Sequence, residues 1–182
     1  MTTLARHVAQ FLGSLTPIRA KVKQHYLIEA FGPDGRKKWT WEFDNLVTTE
    51  GLNKYLDATL KTGLASPAWY VLLVKASTTG YAAGDTLASH GGWTEAVPGT
   101  DYTGDRQAFT PGTISGGSVD NSASKAVFPI LETLTIKGAG LASAATGTSG
   151  TLLGVGAFTG GDRSVVLGDT LNVTVTPSLT AS

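Results

Sequence analysis

The sequence predicts a mainly β protein: a β-sandwich or jelly-roll-like domain with one internal helix and an N-terminal arm or short helix. Three observations carry this expectation. From Ser115 to Pro177 the chain is a series of short β-type runs separated by glycine, serine and threonine, the spacing typical of sandwiches and jelly rolls. Two upstream segments, Lys23–Phe31 and Lys37–Asn45, alternate with a period of two, as half-buried strands do. Trp69 to Lys75 is nearly continuously apolar, the pattern of a central strand buried on both faces.

Taken in order, residues 3–15 read as an amphipathic helix, with Leu4, Val8, Phe11, Leu12 and Leu15 on one face. Gly13 weakens that helix and Pro17 limits its extension. Residues 1–22 are therefore assigned to an arm and 23–182 to a single β-rich domain. The apolar face of the arm fits packing on its own domain or on a neighbour. Gly32-Pro33-Asp34-Gly35 joins the two alternating segments with turn chemistry, since proline presets φ and glycine permits a left-handed exit. On the second segment Trp39, Trp41 and Phe43 share one face, more in keeping with core than with a sugar-stacking platform.

Residues 50–61 read as the internal helix, with Leu52, Tyr55, Leu56 and Leu60 on its apolar side. Thr48 or Thr49 caps its start and Gly63 its end. From Ala76 to Gly117 the chain is a long, glycine-rich excursion, broken by short strands near Trp93–Val97 and Arg106–Phe109. Further strands are expected at Lys125–Ile130, Thr133–Lys137, Thr151–Phe158, Arg163–Leu167 and Thr170–Thr176. The tetrapeptide Gly-Asp-Thr-Leu occurs at 84–87 and 168–171; a Gly-Asp turn feeding a strand explains both.

Hydrophobic residues make up 41% of the 182, enough for a globular core. Charged residues are only 15%, against about 25% on average. Such a surface is readily covered by another protein, because charges are costly to desolvate in the centre of an interface. Cysteine is absent, which excludes a disulfide framework and thiolate metal sites. Residues 1–38 carry seven basic groups against two acidic ones, a net +5 that leaves −5 for the rest. This basic end, with Arg6, Arg19, Lys21 and Lys23, fits a solvated face or an acidic partner. Nucleic acid fits poorly, because the basic residues form no dense block with aromatic partners. No apolar run approaches the roughly 18 residues of a membrane span. Arg6, His7 and Gln10 interrupt the stretch where a secretory signal would be continuous.

Chemistry-bearing residues are sparse. Between Ser115 and Pro177 there is no histidine, and the carboxylates are Asp120, Glu132, Asp162 and Asp169. His7, His25 and His90 lie far apart with no metal-like spacing. His90, in Ser89-His90-Gly91-Gly92-Trp93, would need a serine and an orienting carboxylate such as Asp85 or Asp101 to act as a base. The preferred reading is a structural loop containing Asp85, His90 and Trp93, in which His90 hydrogen-bonds within a tight turn and holds Trp93 in place. Gly154-Val155-Gly156 and Gly160-Gly161 lack the lysine and spacing of nucleotide-binding loops, so no cofactor, metal or catalytic residue is assigned.

Several segments resemble one family. Tyr81-Ala-Ala-Gly-Asp-Thr-Leu-Ala-Ser-His-Gly-Gly-Trp-Thr-Glu95, Val119-Asp-Asn-Ser-Ala-Ser-Lys-Ala-Val-Phe128, Gly150-Thr-Leu-Leu-Gly-Val-Gly-Ala-Phe158 and Gly168-Asp-Thr-Leu171 look like recurring signatures of small structural proteins of tailed bacteriophages. Asn45-Leu-Val-Thr-Thr-Glu-Gly-Leu-Asn53 fits the same pattern. The resemblance spans roughly residues 45–176. It implies a virion structural protein, first of all a capsid decoration (cement) protein that binds the major capsid protein as a homo-oligomer, with a trimer favoured. Tail-tube, head–tail and fibre or spike components are the alternative. The implied location is the capsid surface, after assembly in the host cytoplasm. Candidate partner contacts lie in and beside the arm, at Leu4, Arg6, Val8, Phe11, Leu12, Arg19, Lys21 and Lys23.

Overall fold

The computed structural model describes residues 20–61, 66–77 and 80–181. It is a sandwich of antiparallel sheets. Strands β1 (Ala20–Phe31), β2 (Lys37–Asp44), β7 (Ala126–Pro129) and β12 (Thr170–Ala181) form the first sheet, in the order β2-β1-β12-β7. The second contains β3 (Leu46–Val47), β4 (Trp69–Ser77), β5 (Trp93–Glu95), β9 (Gly138–Ala142) and β10 (Leu152–Ala157), ordered β3-β10-β9-β4-β5. Strand β6 (Gln107–Phe109) shares the free edge of β4 with β5. β8 (Leu134–Ile136) and β11 (Arg163–Val165) make a separate ribbon, and the α-helix among the described residues is α1 (Thr49–Leu60). The expected arm falls on residues 1–19, outside the described residues. Ala20–Val22, assigned to the arm by the sequence pattern, already belong to β1.

The long β1–β12 pair is the spine. Its register sets Tyr26 opposite Val175, Ile28 opposite Val173 and Ala30 opposite Leu171, and all six side chains are buried. Period-two alternation on both strands delivers them to one face. The turn into β2 closes as its residues dictate: the Gly35 amide donates to the Gly32 carbonyl at 2.9 Å, and Gly35 has φ +75°. Phe43 stacks on Tyr26 with centroids 5.1 Å apart. Glu29, on the outer side, accepts from Lys37 at 2.5 Å and from Lys125 at 2.7 Å, strapping β1 to β2 and to the approach of β7.

The second sheet is covered on both faces, as the apolar run of β4 predicts. Val71 and Leu73 join the main core between the sheets, with Ala139, Leu141 and Leu153. Leu72 and Val74 face a second core with Leu87, Trp93, Ala142, Leu152 and Val155. The glycine-rich excursion is thus folded back as a cover, not left as a free loop.

The sequence pattern predicts no strand between Lys137 and Thr151, yet β9 lies there. Gly-Ala-Gly-Leu-Ala has little of the β-branched alternation that marks strands. Its small residues matter for another reason: a Cβ at Gly138 would collide with the Gly156 carbonyl of β10. The two backbones approach closely, which glycine allows.

Candidate interaction surface

Asp85, His90 and Trp93 do come together, and they form a clip. Asp85 Oδ2 accepts from Trp93 Nε1 at 2.9 Å and from the Ala82 amide at 3.0 Å. The His90 ring stacks on Trp93, with centroids 3.8 Å apart and planes 14° apart. His90 Nδ1 donates to the Thr86 carbonyl at 2.8 Å. The carboxylate that could orient His90 as a base thus serves Trp93, and the imidazole is held by the loop backbone. The two Gly-Asp-Thr-Leu copies share one local geometry. The Asp169 carboxylate accepts from the Val166 amide at 2.9 Å as that of Asp85 does from Ala82, and each aspartate's amide donates back to the carbonyl three residues earlier, at 3.0 Å. Leu87 and Leu171, two residues on, are both buried.

The remaining charged groups mostly tie elements together. Lys38 reaches the buried Asp169 at 2.6 Å, and Lys75 reaches the buried Asp101 at 2.7 Å. Burial raises the Asp101 carboxyl, but Lys75 and the Val97 amide outweigh it and hold the group below the usual range. The neighbouring Asp101 carboxyl pushes that of Glu132 up. Arg106 grips both oxygens of Glu95 at 2.7 Å and the carbonyls of Ala144 and Gly147 at 2.9 and 2.8 Å. Of the candidate contacts, Lys23 pairs with Asp44 at 2.9 Å and Lys21 is exposed at the start of β1. Leu4, Arg6, Val8, Phe11, Leu12 and Arg19 lie outside the described residues. The Trp39–Trp41–Phe43 row is occupied internally. Phe43 is buried, Trp39 and Phe158 meet edge to face, and the Arg163 guanidinium sits 3.8 Å over Trp41.

Among the described residues, the surface left without a partner surrounds α1. Its first turn is bolted to β10. Thr48 caps the helix by accepting from the Gly51 amide at 3.0 Å and donates its hydroxyl to the Leu152 carbonyl, while Glu50 accepts from the Leu152 amide. A Cβ at Gly51 would collide with the Leu153 carbonyl. These contacts fix the rotation of the helix, so Gly51 and Tyr55 face inward. The expected packing of Leu52, Leu56 and Leu60 does not occur: they are 42%, 56% and 77% exposed. Their spacing of four puts them in one stripe along the helix.

Beside α1 runs an apolar groove. Its wall opposite the helix is built along the edge of β12. Beyond β7, the Asn121 side chain bridges the Val173 carbonyl and the Val175 amide at 3.2 and 2.7 Å. The Val119 amide then donates to the Pro177 carbonyl and the Leu179 amide to the Gly117 carbonyl, at 3.1 and 2.8 Å. The larger lobe, about 310 Å³, is lined chiefly by Tyr55, Trp69, Phe109, Ile114, Leu153 and Pro177. A second lobe of about 160 Å³ shares Tyr55, Ile114 and Pro177 and ends at Leu179. Burial pushes the Tyr55 hydroxyl above its ordinary value, so it stays neutral there. Sequence reasoning missed this groove because its lining comes from six separate parts of the chain.

The chain matches no family model and no curated protein.

Proposed function

We propose that this protein is a virion structural protein that binds the outer capsid and stabilises contacts between major capsid subunits, working as a homo-oligomer, with a trimer favoured. The observation that carries the reading is the contrast between a charge-poor body, whose ionised groups are largely paired internally, and the exposed stripe Leu52, Leu56 and Leu60 beside an apolar groove. A monomer seldom exposes such a patch without a partner for it. The signature segments support the same reading: the Tyr81–Glu95 signature forms the Trp93 clip, and Asn45–Asn53 positions α1.

The mechanism is burial of area, with no covalent chemistry. Each copy hides apolar surface at about 25 cal/mol per Å², less the cost of association. Repetition around a closed shell turns a modest contact into strong resistance to expansion. The basic end, including Lys21 and Lys23, supplies attraction to an acidic subunit surface. The test is electron microscopy of intact particles together with reconstitution on shells lacking this protein. Density on the outer capsid between subunits is the expected result, and added protein should raise the temperature at which shells open. Density in the tail would select a tail-tube, head–tail or fibre role instead. Absence from purified particles would overturn both.

A further inference from the structure

We propose that the groove beside α1 is the docking site for the amphipathic segment ahead of β1, with Val8, Phe11, Leu12 and Leu15 of the same chain as its anchors. The inference does not rest on the capsid reading; it follows from where the segment is attached, from its pattern and from the shape of the groove.

Attachment comes first. β1 begins at Ala20, and Val22 lies opposite Leu179. Leu179 closes the second lobe of the groove. At about 3.3 Å per residue, Ala20 is only some 7 Å along the strand from that rim. The four residues Thr16–Arg19 reach up to about 13 Å, enough to turn the segment back over the groove. Tethering this short gives an effective concentration in the millimolar range, so the segment outcompetes free partners at ordinary protein concentrations.

Pattern and volume agree. An apolar cavity of about 150 Å³ takes a group of benzene size. The larger lobe, at about 310 Å³, has room for two such side chains, and the smaller, at about 160 Å³, for one. The segment offers apolar groups at the i, i+3, i+4 and i+7 spacing of a helix laid in a groove, and Arg6 falls on the opposite side. Residues 1–19 contain no Asp or Glu and the groove presents Lys54 as its charged lining residue. The contact is therefore apolar, and salt should leave it intact.

The chain has no cysteine, so disulfide trapping is clean. Full-length protein carrying Ile114→Cys is combined in turn with Phe11→Cys, Leu12→Cys or Arg6→Cys and oxidised at low concentration. The expected result is a rapid cross-link within one chain for Phe11→Cys or Leu12→Cys, and a much slower one for Arg6→Cys. Cross-linked dimers would assign the groove to a second copy and overturn the proposal. Equal trapping at all three positions, or none, would overturn it as well. A second measurement guards against altered folding: Phe11→Asp in the otherwise unchanged chain should speed hydrogen exchange at the Val119 and Leu179 amides about tenfold, with those of β1 and β4 unchanged. Unaltered exchange at Val119 and Leu179 would also count against docking.

Discussion

The outer face of the second sheet and the flank of the sandwich beside α1 are finished in different ways. On one, the chain supplies its own cover: Leu87 and Trp93 close over Leu72, Val74 and Val155, and the Asp85 carboxylate locks the indole in place. On the other side of the molecule, α1 touches β10 through Gly51 and Tyr55 while its leucines face outward, next to a groove that reaches Leu141 and Leu153 of the main core. The difference teaches where to look for partners: the closed face is about stability, and with the groove assigned to the chain's own leading segment, the outward stripe of Leu52, Leu56 and Leu60 is where binding free energy is available.

The largest expected effect breaks the closed flank. Trp93→Ala removes the cover of the second core, the stacking partner of His90 and the donor to Asp85, leaving a buried carboxylate short of a partner. Deleting a buried aromatic of this size costs about 3–5 kcal/mol. Chemical denaturation should show the midpoint falling with little change in slope. A loss below about 1 kcal/mol would mean that the 80–93 segment is not the cover described here.

The sandwich, the β1–β2 hairpin, the helix, the Trp93 clip and most of the strands were legible in the sequence. Each is written locally: alternation in Lys37–Asn45, the Gly-Pro-Asp-Gly turn, a threonine cap ahead of α1, a histidine in a tight loop beside Trp93; that Asp85 receives the indole was not read from the sequence. What was not legible depends on contacts between distant segments. β9 needed the knowledge that Gly138 lies against Gly156. The facing of α1 needed Gly51 to meet Leu153, because helical periodicity alone favoured the leucines as the inner face. The groove needed Asn121 to continue the edge of β12, and nothing near Asn121 in the chain announces that role.

A middle-sized effect separates ionic strapping from both flanks. Lys125 and Lys37 hold the Glu29 carboxyl below the usual range, against the opposing effect of burial. A carboxylate depressed in the folded state contributes stability that is present above its unfolded pKa and is lost as pH falls through the folded one. Glu29→Gln should therefore lower stability at pH 7 by about 1.5–3 kcal/mol, and the gap to the parent should close on acidification from about pH 5 downward. Urea midpoints at neutral and acid pH check this. The Trp93→Ala deficit, being mainly apolar, should persist across the same range, so the two pH profiles distinguish the first sheet's strap from the second sheet's cover.

The smallest effect on stability is the one that most sharpens the contrast. Leu52→Ser and Leu56→Ser alter side chains that already face solvent on α1, so each should change folding stability by no more than about 0.5 kcal/mol. The Thr48, Glu50 and Gly51 contacts that seat the helix are untouched. If the stripe is a partner surface, the paired substitution should nonetheless reduce occupancy on reconstituted shells by an order of magnitude or more, since each apolar side chain withdrawn from an interface forfeits about 1.5–3 kcal/mol. Co-sedimentation with shells at several protein concentrations measures that shift directly. Unchanged occupancy with unchanged stability would mean that the leucines are idle and would move the search for the contact surface to the basic end at Lys21 and Lys23. A large loss of stability would mean that α1 is seated by its leucines after all, and the distinction between a closed and an open flank would fall with it.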